Sequence, residues 1–208
     1  VKRKNTIEKV GFDCIFINKV NCDKTIDYIL DRTFYRPRDI ISFVNECIKV
    51  AEGKPQIAAS DIKTAEVNYS YGRLHSLITE WREVYPNIEC VLNLFCEMKS
   101  YFDVSAITTE ILEEKYIENL STISSPDKDP ITKQIDSLYT SGSANFISVR
   151  NFMIRQLYII GFLGVKTSAG SSVEWSYLNR YSLSPGQVKP SSKISIHPAF
   201  HRALDIKP

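Results

Sequence analysis

Ser148-Val149-Arg150-Asn151-Phe152-Met153-Ile154-Arg155-Gln156-Leu157-Tyr158-Ile159-Ile160-Gly161 is the stretch on which the fold turns. Ser148 is a capping residue. Val149, Phe152, Ile154, Leu157 and Ile160 need burial, and Gly161 supplies a stop. The spacing therefore predicts a helix over 149–160. Beyond it, Val173 to Tyr177 alternates and Lys193 to Ile196 does so more weakly, with the turn residues Ser184-Pro185-Gly186-Gln187 between them. These two segments predict a β-hairpin with a long tip. A run of helices that closes with a two-stranded hairpin is the order of a winged helix.

Working back from this stretch, Ile131 to Tyr139 predicts a short helix and Ser141-Gly142-Ser143-Ala144 a turn. Ser121 to Asp129 has the composition of a loop. Ile107 to Leu120 predicts a helix capped by Ser105 or Thr108, and Asn87 to Tyr101 another. Ser60 is placed to cap a long helix from Asp61 to Tyr85. Arg36-Pro37-Arg38-Asp39 starts a helix that Gly53 stops, because Pro37 suits the first turn and Asp39 complements the helix dipole. Asn21 to Asp23 offers caps for a short helix through Ile26, Ile29 and Leu30. Val10, Phe12, Cys14 and Phe16 alternate like a strand. The expected fold class is mainly α (α+β). An N-terminal segment, 1–22, precedes a helical subdomain over 23–85 and a winged-helix-like domain over 86–208.

With 43% hydrophobic and 24% charged residues in a chain of 208, the composition is that of an ordinary soluble domain. The apolar run from Leu157 to Val165 is too short to span a bilayer, so no membrane is expected. Cys14, Cys22, Cys47, Cys90 and Cys96 include no CxxC pair and read as reduced thiols of a cytoplasmic protein. A net charge of +2 neither requires nor excludes nucleic acid. Val1 in place of a methionine is what an excised segment, a removed tag or a lost initiator would leave.

No complete catalytic motif is present, so the chain is not expected to be an enzyme. Ser60 and Lys63 fit SxxK, but the elements that accompany it in β-lactam-recognising enzymes are missing. Gly161 and Gly164 follow a helix, whereas phosphate-cradling loops precede one. His197 and His201 lie four apart, yet Pro198 places His197 ahead of a helix, and no metal site is expected. On the 149–160 helix, burial of the apolar set leaves Arg150, Asn151 and Arg155 exposed, residue types that read phosphates and base edges. Lys166, Arg180, Lys189 and Lys193 add a basic wing. Glu110, Glu113, Glu114 and Glu118 on a preceding helix weigh against a DNA face there.

Thr33-Phe34-Tyr35-Arg36-Pro37-Arg38-Asp39-Ile40-Ile41 resembles the junction between core and helical lid in bacterial P-loop ATPases of the AAA+/STAND type. The helix around Tyr69 to Trp81, the stretch Leu157 to Gly164 and the terminal Ile196 to Phe200 are similar to the same group. The resemblance runs from residue 25 onward and lacks the family's GxxxxGK[ST] motif. It implies the C-terminal part of such an ATPase, with residues 1–22 a remnant of the core. Arg36 or Arg38 would sense a γ-phosphate once that core is present. ATP and Mg²⁺ are implied for the full-length ATPase and no cofactor for this chain. The expected function is a non-catalytic module that relays the core's nucleotide state to a partner, protein or double-stranded DNA. The alternative is a stand-alone winged-helix DNA-binding protein.

Overall fold

The computed structural model describes residues 11–140, 144–179 and 182–208. The fold is mainly α with small antiparallel sheets. It divides into two compact units, up to Tyr69 and from Ser70 onward, and the division falls within one long helix.

The first unit opens with α1 (Phe12–Ile15), where alternation predicts a strand. The same alternation contains an i, i+4 pair, and Phe12 and Phe16 stack at 4.4 Å across one helical turn. Phe16 then forms a single parallel bridge to Ile57. A tight ribbon of β1 (Lys19–Val20) and β2 (Asp23–Lys24) turns at Asn21, whose φ of +55° an asparagine tolerates. α2 (Thr25–Asp31), α3 (Pro37–Val50) and the start of α4 (Ala59–Trp81) complete the unit.

Phe43 and Cys47 bury one face of α3, and Phe43 stacks on Tyr69 at 4.7 Å. Ser60 does not cap α4. It lies inside the helix, and Asp61 instead accepts the Ala58 N–H at 3.0 Å, the reach-back of an acidic residue in the first turn. Lys54, 2.6 Å from Asp61, holds that carboxyl below the usual range, with the Ala58 N–H assisting. Buried Glu66 accepts from Tyr28 Oη at 2.6 Å and Arg32 Nε at 2.8 Å, so its charge is compensated.

The second unit carries α5 (Ile88–Asn93), β3 (Tyr101–Asp103), α6 (Thr109–Glu118), α7 (Pro130–Thr140), α8 (Phe146–Ile159), β4 (Leu163–Lys166), α9 (Ser176–Asn179) and β5 (Lys193–Ile196). The helix predicted over 87–101 stops at Asn93. The chain reverses through Glu97 at φ +62° so that β3 can join the sheet. Strand order is β3-β5-β4, both pairings antiparallel, with Phe102 opposite Ile194 and Val165 opposite Ile194. The hairpin partner of β5 is therefore β4 and not 173–177. The latter segment contributes one bridge, Glu174 to Val165, and then turns into α9. Gly164 permits this arrangement, because a Cβ there would lie 2.5 Å from Val173 and 2.8 Å from Trp175.

α8 begins a turn earlier than predicted. Asn145 caps it and accepts the Ser148 N–H at 3.2 Å, and it ends as expected before Gly161 at φ +82°. Val149, Met153, Ile154 and Leu157 are buried, while Phe152 is half-buried. Phe162 packs edge-on to Phe95 at 5.4 Å and against Phe200 at 5.3 Å, which ties the sheet to the α5 region and the C-terminal turn.

Candidate functional site

The polar residues of α8 do not form the open face that the sequence predicts. Arg150 is 5% exposed, which corrects its placement on the surface. Its Nη1 donates to Ile107 O at 3.4 Å, its guanidinium lies 5.3 Å over the Phe146 ring, and burial lowers its pKa. Pointing back over the preceding turn is the ordinary direction for a long helical side chain, and here that direction is inward. Asn151 and Arg155 are half-buried and also engaged. Asn151 Nδ2 donates to Val188 O at 3.0 Å, and Arg155 Nε to Leu183 O at 2.7 Å.

The acceptors of Asn151 and Arg155 belong to the long connection between β4 and β5. Its returning part, 182–192, buries Leu183 and Val188 and turns at Pro185–Gln187, which Ser184 and Gln187 cap reciprocally. Val104 N–H donates to Ser192 O at 2.9 Å and Ser105 N–H to Pro190 O at 3.2 Å, fixing the end that feeds β5.

Of the wing lysines, Lys166 is half-buried on β4 and faces Lys193 in register across β5. Lys193 Nζ sits 2.7 Å from Asp103, its register partner on β3, so its charge is paired across the sheet. Lys189 is exposed. Arg180 and Tyr181, and residues 141–143 of the predicted turn, lie outside the described residues.

In the first unit, Arg36 is the N-cap residue of α3 and Arg38 lies in its first turn, both exposed. Arg36 stands 5.6 Å from the Phe34 ring, and Arg38 Nε is 3.9 Å from Asp39 Oδ1. Two cationic side chains thus face solvent at a helix N-terminus, where backbone N–H groups also favour an anion.

One constellation escaped sequence reading. His197 is buried, accepts the Ala199 N–H on Nδ1 at 3.1 Å, and has Tyr177 Oη 3.1 Å from Nε2. With Nδ1 accepting, the neutral ring carries its proton on Nε2 and donates to the tyrosine oxygen. Trp175 stands edge-on at 4.9 Å. Burial, followed by His201 and Arg73, drives the His197 pKa down to about 3. The histidine three residues before the buried Phe200 was visible in the sequence, but Tyr177 lies twenty residues away from it. His201 Nε2 donates to Ile196 O at 2.8 Å. Among the described residues no group of three or more His, Cys, Asp or Glu could hold a metal ion. Nor is any described helix long and apolar enough to cross a membrane.

The fold thus defines a mainly helical chain with a small three-stranded sheet. Residues 1–78, less than half of the chain, match a family described as the FunZ-associated C-terminal helical domain. A putative transposon gamma-delta 80.3 kDa protein of Escherichia coli (strain K12) is 27% identical over 181 residues, which cover 85% of this chain. The chain spans only 23% of that relative's length. Allergen Alt a 2 of Alternaria alternata is 34% identical over 68 residues, 32% of this chain and 36% of the allergen. No solved structure matches the chain.

Proposed function

We propose that this chain is a non-catalytic C-terminal module of a longer P-loop ATPase, with a helical lid in the first unit and a winged helix in the second. Its work is to relay the nucleotide state of the core to a partner. The observation that carries the reading is the paired exposure of Arg36 and Arg38 at the N-terminus of α3, cations presented to solvent where a phosphate would be met. The match of the same unit to a C-terminal helical domain, and a relative more than four times as long as the aligned part, support a place at the end of a larger polypeptide. Support for the winged helix is the strand order β3-β5-β4, with α8 running directly into β4.

A stand-alone DNA reader is the second reading, favoured by that same strand order. The engagement of Arg150, Asn151 and Arg155 by the chain's own carbonyl oxygens counts against it in this conformation.

The test is made on a polypeptide in which this chain follows a P-loop core. R36A or R38A should lower ATP hydrolysis there on the order of 10³-fold, as loss of an arginine that stabilises transferring phosphate does. The isolated chain should not hydrolyse ATP at all. Unchanged hydrolysis in both variants, or turnover by the isolated chain, would remove the reading.

A further inference from the structure

We infer that residues 182–192 form a displaceable strap over α8, and that α8 contacts duplex DNA only when the strap is lifted. The inference rests on the winged-helix reading of the second unit.

The chemistry of the contact points to what the strap replaces. Asn151 and Arg155 lie four apart on one helical face, and both donate to strap carbonyl oxygens, Val188 O at 3.0 Å and Leu183 O at 2.7 Å. Carbonyl oxygens supply the acceptor geometry of a phosphate oxygen or a base edge without the charge. The partner that Arg155 meets in the strap is a neutral carbonyl oxygen, not a carboxylate. Leu183 to Val188 contain no acidic residue that could neutralise the guanidinium. A guanidinium held by a neutral acceptor loses little in exchanging it for a phosphate, which adds charge to the same bond.

The strap's hold on α8 is small, while the chain on either side of it is pinned elsewhere. Leu183 and Val188 are its buried apolar anchors, and Ser184, Pro185, Gly186 and Gln187 between them are exposed. Upstream, the chain before it is held by the pairing of Glu174 with Val165 and by Tyr177 Oη on His197. Downstream, the bonds from Val104 and Ser105 to Ser192 and Pro190 pin the strap at the base of β5. Lifting it therefore breaks the α8 contacts while leaving the sheet intact. Ser148 and Ile159 lie on the same stripe of α8 as Asn151 and Arg155 and are already exposed, so the strap covers the middle of an otherwise open face.

The experiment is fluorescence anisotropy of a labelled duplex titrated with the wild-type chain and with L183S/V188S, at low and near-physiological salt. Hydrogen exchange on both proteins reports whether α8 and the β4–β5 pair stay protected, and L183A replaces the double variant if they do not. The strap predicts that the released variant binds at least tenfold more tightly than wild type at low salt. That binding should weaken steeply with salt as counterions are released and return to the wild-type level on adding R155A. A folded released variant that binds no better than wild type overturns the strap. So does a wild-type chain that binds as tightly as the variant. Neither result touches ATP hydrolysis by the longer polypeptide, so the two proposals fail separately.

Discussion

At the scale of single residues, His197 is a buried side chain engaged through both ring nitrogens. Its spacing from His201 invites a metal, and Pro198 argues against one from the sequence alone. The structure supplies what the ring is for. One nitrogen takes the Ala199 N–H, the other meets Tyr177 Oη, and Trp175 and Phe200 close around it. That cage was not legible, because its members come from the β4–β5 connection and the C-terminal turn, and no local pattern links them. Its consequence is a pH dependence with a definite sign. The folded ring titrates at about 3, whereas an unfolded histidine takes a proton near 6.5. Between those values the unfolded chain binds the extra proton, so stability is highest above pH 6.5 and falls as the pH drops toward 3. Urea unfolding between pH 7.5 and 4.5 should show a midpoint that declines with acidity, and H197Q should flatten the decline while lowering the midpoint at pH 7.5. A variant with the wild-type slope would assign the effect to other groups. Cysteines tell a simpler story, with Cys47 pushed up to about 12 and Cys90 to about 11 by burial, the thiols of core residues.

At the scale of elements, what was legible were helices whose ends carry their own signals. Pro37 opens α3, Thr108 caps α6 by accepting the Ile111 N–H, and Gly161 closes the turn after α8. Elements set by distant partners were not legible. Tyr101 reads as the end of a helix until β5 pairs with it, and Val173 to Tyr177 reads as a strand until β4 takes its place. The start of α7 belongs to both groups. The sequence marks Ser121 to Asp129 as loop but gives no hint that Asp129 is buried. Its Oδ1 accepts from Ile131 and Thr132 N–H at 2.8 and 3.0 Å, while Oδ2 accepts from Asn87 N–H at 2.9 Å. Asn87 in turn donates to Thr132 Oγ1 at 3.0 Å and accepts the Ser124 N–H at 3.0 Å. One carboxylate thus caps α7 and fastens the residue that precedes α5. D129A removes the cap and strands buried N–H groups, so a loss of about 2–4 kcal/mol is expected from the denaturant midpoint. D129N keeps one acceptor oxygen and should recover part of it. A cost under about 1 kcal/mol for D129A would mean that water replaces the carboxylate.

At the scale of the whole chain, the question is where one unit ends and the next begins. Proline and loop composition place a boundary at 85/86, since Pro86 follows the predicted end of the long helix. Compactness places it between Tyr69 and Ser70, inside α4. The side chains explain why the last turns of that helix go with the second unit. Ser70 Oγ accepts the Ala203 N–H at 3.0 Å, near the C-terminus, and Tyr85 Oη donates to Gln156 Oε1 on α8 at 2.7 Å. Tyr85 is itself buried. A contact from residue 70 to residue 203 cannot be read from local pattern. The candidate site suffered from the same blindness, because Arg155 reads as exposed until Leu183 O is found against it. Two fragments decide the seam. Starting at 86 instead of 70 removes both hydrogen bonds, at roughly 0.5–1.5 kcal/mol each, and the burial of Tyr85, at about 1.5–3 kcal/mol. Fragment 70–208 should therefore unfold cooperatively in urea, and fragment 86–208 should be less stable by about 3 kcal/mol or more. Equal midpoints for the two would return the boundary to 85/86 and make residues 70–85 a passive extension of the first unit.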